Sequence, residues 1–252
     1  MSTPRFFCPP AFFTALSAPA SAPSLELPRD VARHAARVLR LPTGARITLF
    51  DGSGNEFPAV IETVGRADSV RVRLDAPRSI PRESPLAITL LQTIQAADKM
   101  DFTIQKAVEL GVAVIRPLAG RRSVVRLAGE RRVKREAHWQ SVAIAACEQC
   151  GRNHVPAVAP VASLEDWLAR EGKSVAALKL MLAPRAEKRL RDLPRAREIL
   201  LLVGAEGGFA PEETEMAKEA GFTAVSLGPR VLRTETAGLA AIAALQALWG
   251  DG

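Results

Sequence analysis

Residues 199–209 read Ile-Leu-Leu-Leu-Val-Gly-Ala-Glu-Gly-Gly-Phe (ILLLVGAEGGF), and Pro211 follows closely. An unbroken apolar run of this length makes a strand buried on both faces, as in a parallel sheet covered by helices. The glycines after it allow a tight turn and close approach of backbone to a ligand. Pro211 suits the first position of a helix over Pro211–Ala220. Ligands of α/β folds bind at the open ends of parallel strands. No Gly-Lys-Ser/Thr follows, so this is not a Walker phosphate loop, and the GxGxxG spacing of a dinucleotide site is absent. Taken alone, the turn fits a ligand loop and an empty strand–helix connection equally well.

Outward from this stretch, strands alternate with helices. Leu86–Ile94, Val112–Leu118, Val175–Ala183 and Phe222–Leu227 read as buried strands. Asp98–Leu110, capped near Asp98 and stopped by Gly111, reads as a helix, and so do the basic stretch Gly129–Cys150 and Glu235–Trp249. That alternation argues for a parallel sheet with helices on both faces. Residues 226–236 (SLGPRVLRTET) repeat the ligand-loop pattern. A strand ends at Gly228-Pro229, a charged loop follows, and Thr234 or Thr236 can cap the last helix. That helix (AGLAAIAALQALW) is apolar nearly all round, so it is buried or pairs with another subunit. A surface-loop reading of Arg230 and Arg233 fits less well, because a buried helix begins directly after them.

The chain before residue 77 reads differently. Arg46–Asp51, Asn55–Glu62 and Ser69–Leu74 are short strands, the last two with period-two alternation, and Gly52-Ser-Gly marks a turn. Pro58 makes its strand an edge or a bulged one. Pro28–Leu41 reads as a helix with an apolar stripe of His34, Ala35, Val38 and Leu39, ended by Pro42-Thr-Gly. A small barrel with one helix fits. Ala76–Pro85, with three prolines among charges, reads as a linker. The expected division is 1–76 and 77–252.

The 252 residues are 48% hydrophobic and 24% charged, which suits a globular protein with a substantial core. No run of about 18 apolar residues occurs, so no transmembrane helix is expected. The start, MSTPRFFCPP, has too short an apolar stretch for a signal peptide. Three cysteines form no disulfide framework, and a cytoplasmic location fits. The net charge of +7 is concentrated in residues 78–152, with 13 basic and 7 acidic side chains. Arg116, Arg121, Arg122, Arg126, Arg131, Arg132, Lys134, Arg135 and Arg152 lie there. Such an excess attracts phosphate backbones, although a solvated helix face is the commoner reason for a charge run.

Cys147-Glu-Gln-Cys150 with His154 admits a zinc or redox reading. The lack of a second cysteine pair and the expected helix-end position weigh against it, and no metal is expected. Lys106 and Glu109 suit an i,i+3 ion pair. His34 and His138 read as ordinary helix residues. Trp139, Trp167 and Trp249 read as core or interface anchors.

The pair LLVGAEGGF and LGPRVLRTETA closely resembles the C-terminal signature of the bacterial ribosomal RNA small-subunit methyltransferase E family. Lys99–Gly111 (KMDFTIQKAVELG) and Ala145–Asn153 (AACEQCGRN) are similar to two further segments of that family. His34-Ala-Ala-Arg-Val-Leu-Arg and Leu49-Phe-Asp-Gly look like its PUA-like RNA-binding domain. The resemblance covers nearly the whole chain. One departure stands in the first loop, where the family usually has proline and this chain has Ala205.

The resemblance implies a trefoil-knotted SPOUT α/β methyltransferase domain behind a small N-terminal β-barrel PUA-like domain. It implies S-adenosylmethionine as cofactor, held by Leu182 and Pro184 after one strand. Val203, Gly204, Glu206 and Gly207 would hold it from the first loop, and Leu227, Gly228, Leu232, Thr236 and Ala237 from the second. The implied reaction is methyl transfer to N3 of a uridine in small-subunit (16S) ribosomal RNA, free or in the 30S particle. Arg233 would stabilise the uracil anion, with Glu148, Gln149, Arg152 and Asn153 orienting the base and Glu148 the candidate general base. RNA contacts are expected from Arg33, Arg37, Arg40, Arg121 and Arg122. A homodimer is implied, and no membrane. The competing readings are a SPOUT enzyme with another target, such as a ribose hydroxyl or a transfer-RNA guanine, and an RNA-binding module without activity.

Overall fold

The computed structural model describes residues 3–14, 23–123, 125–170 and 177–252. The chain divides into two compact units. Met1–Glu83 joins Cys147–Val155 in one, and Ser84–Ala146 joins Pro156–Gly252 in the other.

The first unit holds β1 (Arg5–Phe7), α1 (Pro10–Phe13), β2 (Ser24–Glu26), α2 (Arg29–Arg33), β3 (Arg46–Phe50), β4 (Asn55–Val64), β5 (Val70–Leu74) and β6 (Arg78–Ser79). The sheet order is β1-β3-β4-β5-β2, with β6 paired to β4. Among the described residues, only β1 and β3 run parallel there. β1 and β2 stand at opposite ends of that order, so among the described residues the sheet does not close into the expected small barrel. Alternate residues of β4 and β5 (Phe57, Ala59 and Ile61; Val70, Val72 and Leu74) fill one core with Phe6, Leu27, Val31 and Ala35. Pro58 sits inside β4, and the register of β4 against β5 shifts between Ile61 and Thr63. The strand is bulged, as expected, but past the proline rather than at it: Pro58 itself pairs in register with Thr48, and β4 lies between β3 and β5 rather than at an edge.

The expected helix over Pro28–Leu41 is only partly α-helical. α2 runs into a π-helical turn, His34–Val38, in which the N–H of Leu39 reaches back to the carbonyl of His34. The wider turn shifts every later side chain around the axis. Ala35 stays buried, whereas Val38 and Leu39, placed on the apolar stripe by α-helical spacing, are 67% and 43% exposed.

The second unit holds β7 (Ala87–Thr93), α3 (Ala97–Glu109), β8 (Val114–Ala119), α4 (Gly129–Cys150, up to Ala146), β9 (Ala157–Val158), β10 (Ala162–Ser163), α5 (Leu164–Arg170), β11 (Leu178–Leu182), β12 (Glu198–Val203), α6 (Pro211–Glu219), β13 (Thr223–Val225) and α7 (Thr234–Trp249). Its parallel sheet runs β10-β8-β7-β12-β11-β13, with β9 beside β8. Leu90 and Leu91 of β7 face Leu201 and Leu202 of β12 in register, and all four are fully buried. That double burial is what the continuous apolar runs require. Residues 175 and 176 of the expected strand Val175–Ala183 lie outside the described residues.

Two expected caps differ. The N-cap of α3 is Ala96, and Asp98 lies in the first turn, where its charge meets the positive end of the helix dipole. α7 is preceded by Arg233 and begins with Thr234, whose hydroxyl caps no backbone N–H and turns toward the carbonyl of Gly204 instead. Trp139 and Trp167 are buried, the latter edge-on to Phe222. Trp249 is half-buried. Among the described residues, no helix is long and apolar enough to cross a membrane.

Candidate functional site

β11 and β12 lie side by side, and the loops that follow them meet those following β13. These loops enclose a cavity of about 560 Å³. Leu182 and Pro184 wall it after β11, Val203, Gly204 and Glu206 after β12, and Leu227, Leu232, Arg233 and Ala237 on the side of α7. Gly207 and Gly228 of the same loops, and Thr236 in the first turn of α7, do not form its wall.

The loop after β12 is a tight turn in which the Gly208 N–H donates to the Ala205 carbonyl at 2.9 Å. A Cβ on Gly204 would lie 3.2 Å from Gly208 Cα and 3.3 Å from the Phe209 ring. The first neighbour is backbone and yields less readily than a side chain, so position 204 is tight for any residue but glycine. Gly208 has φ +65°. From the far side, Arg122 donates to the Gly207 carbonyl, and the Arg121 N–H reaches Glu213 Oε1 at 2.7 Å. Glu213 is 1% exposed and also accepts from the Ala210 N–H, which fixes the start of α6.

A charge cluster lies on the cavity wall. Lys99 Nζ is 3.1 Å from Glu206 Oε1 and 3.9 Å from Glu235 Oε2. Burial opposes ionisation of Glu206, but its own and the Ala96 backbone N–H groups and the Lys99 ammonium outweigh it, holding the carboxyl below its ordinary value. Glu235 Oε2 is buried without a hydrogen-bond donor. A buried acceptor left open in a concave wall is a contact point for a ligand's donor. Lys99 and Glu235 are not site residues by sequence pattern alone. Both stand inside the motifs quoted, but sequence spacing gives no sign that they meet.

Of the residues expected to handle the base, Glu148, Gln149, Arg152 and Asn153 lie in the first unit. Glu148 Oε1 accepts from the Phe7 N–H at 2.9 Å. Its carboxyl is pushed above its ordinary value, chiefly by burial, with the Phe7 N–H opposing. Arg152 is 6% exposed and forms a fork with both carboxylate oxygens of Glu83. Asn153, 1% exposed, accepts from Arg5 and donates to Glu56. Glu56 also accepts from Arg5 at 3.0 Å and Arg82 at 2.8 Å. Burial opposes its charge, and these donors hold its carboxyl below the ordinary value. Gln149 is exposed. The sequence thus brings Glu148, Arg152 and Asn153 together around β1, and Arg233 to the cavity wall of the other unit.

The cysteine motif is split by burial. Cys147 is buried, its thiol donates to the His154 carbonyl, and burial raises its pKa to about 12. Cys150 is half-buried. Among the described residues, no group of three His, Cys, Asp or Glu side chains is arranged to hold a metal. His138 pairs with Asp101 at 2.8 Å, and Lys106 with Glu109 at 2.8 Å. Arg33, Arg37 and Arg40 are exposed, Arg37 paired with Asp68. Arg121 pairs with Glu165 and Glu212.

Residues 82–246 match the family model of the RNA methyltransferase domain, and residues 27–75 that of the RNA methyltransferase PUA domain. Ribosomal RNA small subunit methyltransferase E of Buchnera aphidicola subsp. Schizaphis graminum is 33% identical over 90% of this chain and 92% of its own length. The Neisseria gonorrhoeae protein of that name, solved bound to S-adenosyl methionine, is 40% identical, with TM-score 0.88 over 99% of both chains. A Legionella pneumophila protein solved with bound SAM is 38% identical, with TM-score 0.91 over the whole of both chains. With both family models in order along the chain, and a relative above 30% identity covering nine-tenths of it, the chain belongs to the ribosomal RNA small subunit methyltransferase E family.

Proposed function

We propose that this protein transfers a methyl group from S-adenosylmethionine to N3 of a uridine in small-subunit ribosomal RNA. The observation that carries the reading is the cavity at the ends of β11 and β12, with its glycine-lined wall and the open acceptor on Glu235. Its volume of about 560 Å³ is that of a cofactor pocket. The two solved relatives that share this fold carry S-adenosylmethionine. The residues present fit that group. Leu182, Pro184, Val203, Leu227, Leu232 and Ala237 offer apolar walls, Gly204 close backbone, and Glu206 and Glu235 acceptors, while Gly207 and Gly228 shape the loops from outside the wall. Thr236 borders them in α7.

The methyl donor, when bound, supplies an electrophilic carbon on a sulfonium. The protein must present uracil N3 to it and help N3–H lose its proton. We assign Arg233, on the cavity wall, to stabilise the charge that develops on the uracil ring. We assign Glu148 as proton acceptor, because a carboxyl with raised pKa is better matched to that task near neutral pH. Arg152 and Asn153 then hold the segment that carries Glu148, while exposed Gln149 is free to meet the base. Arg33, Arg37, Arg40, Arg121 and Arg122 are assigned to RNA phosphates. The same reading takes residues 1–76 as the RNA-binding part and 77–252 as the methyltransferase part. It takes the loops around the cavity as the threaded part of a trefoil knot, the exposed small residues of α7 as a homodimer contact, and the cytoplasm as the site of action.

Mass mapping of small-subunit ribosomal RNA from a strain lacking the gene tests the reaction. One methyl on a uridine N3 is expected to disappear and to return with the purified protein and S-adenosylmethionine. Unchanged small-subunit RNA overturns the reading.

A further inference from the structure

Behind the cavity lies a cluster of polar side chains with almost no access to water. Gln92, Gln95 and Thr103 are at most 1% exposed, Thr93 2% and Thr234 8%. They come from β7, the connection after it, α3 and the start of α7, and they converge on one hydroxyl. Gln95 Nε2 lies 3.1 Å and Gln92 Nε2 3.3 Å from Thr234 Oγ1. Thr234 Oγ1 in turn meets the carbonyl oxygen of Gly204.

Proton counting fixes every direction in this cluster. A carbonyl has no proton to give, so Thr234 must donate to Gly204. A hydroxyl has one proton and two lone pairs. With its proton committed, Thr234 can only accept from its other neighbours, and both glutamines must present N–H. For Gln95 that orientation is reinforced on the other side, where Thr103 Oγ1 donates to Gln95 Oε1 at 2.9 Å. For Gln92 it is reinforced by a second N–H bond, 3.1 Å to the Thr93 carbonyl. Its oxygen is left buried without a partner. Turning the amide over would set that oxygen against the Thr93 carbonyl, so the orphan is the less costly arrangement. Thr93 Oγ1 donates to the Val203 carbonyl at 3.1 Å. Two successive carbonyls at the end of β12, those of Val203 and Gly204, are therefore held by buried hydroxyls.

We infer that Thr234, oriented by Gln92 and Gln95, is a positioning residue that locks the Gly204 peptide and thereby presets the glycine loop for its ligand. Glycine at 204 is needed for space but gives the backbone freedom, and freedom in a binding loop weakens affinity through the entropy of ordering it. The hydroxyl removes that freedom while also fixing the start of α7, so both walls of the cavity share one tether. The effect on cofactor affinity rests on reading the cavity as the S-adenosylmethionine site. The lock itself does not.

The test uses Thr234→Val, which keeps the shape and removes the hydroxyl, Thr234→Ser, which keeps the hydroxyl, and Gln95→Met, which removes one orienting donor and leaves α7 untouched. Hydrogen exchange of the peptide covering 204–209 is measured in each ligand-free protein, and S-adenosylmethionine affinity by calorimetry. Thr234→Val is expected to speed exchange of the loop and to weaken binding about tenfold, as losing one buried hydrogen bond implies. Thr234→Ser is expected to restore most of both, and Gln95→Met to give a smaller change in the same direction. Should Thr234→Val fail to fold, Gln95→Met carries the test alone. Unchanged loop exchange in a folded Thr234→Val or Gln95→Met protein overturns the lock. A wild-type protein that ignores S-adenosylmethionine while its loop still responds to Thr234→Val overturns the cofactor reading and leaves the lock standing.

Discussion

Arg122 donates to the carbonyl of Gly207 at 3.1 Å, and a Cβ placed on that glycine would lie 3.1 Å from the Cβ of the same arginine. The glycine loop is therefore confined from outside by a residue first marked for its charge. Gly204 and Gly207 should respond differently to alanine. At Gly207 the obstacle is a side chain on an exposed turn, which can shift by a few tenths of an ångström. At Gly204 it is the backbone of Gly208. Gly204→Ala is expected to cost about 1–3 kcal/mol, as overpacking does, and to abolish S-adenosylmethionine binding. Gly207→Ala is expected to weaken binding but keep it measurable. Calorimetric titration of the two variants, with thermal unfolding alongside, checks the order.

The loop also carries a pH dependence. The Glu206 carboxyl is held below its ordinary value of 4.5 in the folded protein. A depressed carboxyl contributes stability that is present above the unfolded value and lost as pH falls through the folded one. Folding stability from this group should therefore hold down to about pH 4.5 and decline below it as Glu206 takes up a proton and Lys99 loses its partner. Glu206→Gln is expected to flatten that fall. Denaturant unfolding at several acidic pH values, for the wild type and this variant, decides it.

Much of this site was legible in the sequence, and the part that was not has a physical reason. The strands around residues 90 and 201 and the helices α3, α4 and α7 announce themselves by apolar runs and 3.6-residue spacing. The glycine loop is visible as glycine after a buried strand. β9 and β10, two residues each, are too short to show a period. β1 lies between Pro4 and Pro9, where proline suggests irregular chain, yet the parallel pairing with β3 gives it a ladder. α5 has helical spacing at Leu164, Trp167 and Leu168, but its seven residues are about two turns, too few for a period to stand out. The partnership of Lys99 with Glu206, and of Gln95 with Thr234, spans more than a hundred residues. Only tertiary structure brings such pairs together, and no local pattern encodes them.

Glu148 separates a structural from a chemical role through a single substitution. Burial raises its folded pKa above the ordinary 4.5. For a carboxyl, that means the folded state binds its proton more tightly than the unfolded chain. Stability from this group is greatest in acid and declines as pH rises through the interval between the two values. Glu148→Gln keeps an oxygen to accept the Phe7 N–H and has no charge to desolvate. It is expected to be at least as stable as the wild type at neutral pH and to lose the decline above about pH 4.5. If Glu148 is the proton acceptor, the same variant loses methyl transfer while its melting temperature holds or rises. A stable Glu148→Gln protein with full transfer rate removes Glu148 from the chemistry.

The exposed arginines of the first unit can be tested without knowing the target nucleotide. Arg33 and Arg40 lie on one short stretch with Arg37, which is already neutralised by Asp68 at 2.6 Å. Each phosphate contact by a free cation releases a counterion and adds about 0.9 to the slope of log affinity against log salt on a duplex, less on a single strand. Arg33→Gln and Arg40→Gln are each expected to weaken binding to small-subunit ribosomal RNA and to reduce that slope by up to about one. Arg37→Gln should do less, because its charge already has a partner. Affinity measured over a series of salt concentrations distinguishes this from a folding effect, which would lower active protein without changing the slope. Equal slopes for all three variants and the wild type would mean that the RNA is gripped elsewhere, with the basic stretch around Arg131 and Arg135 the next surface to alter.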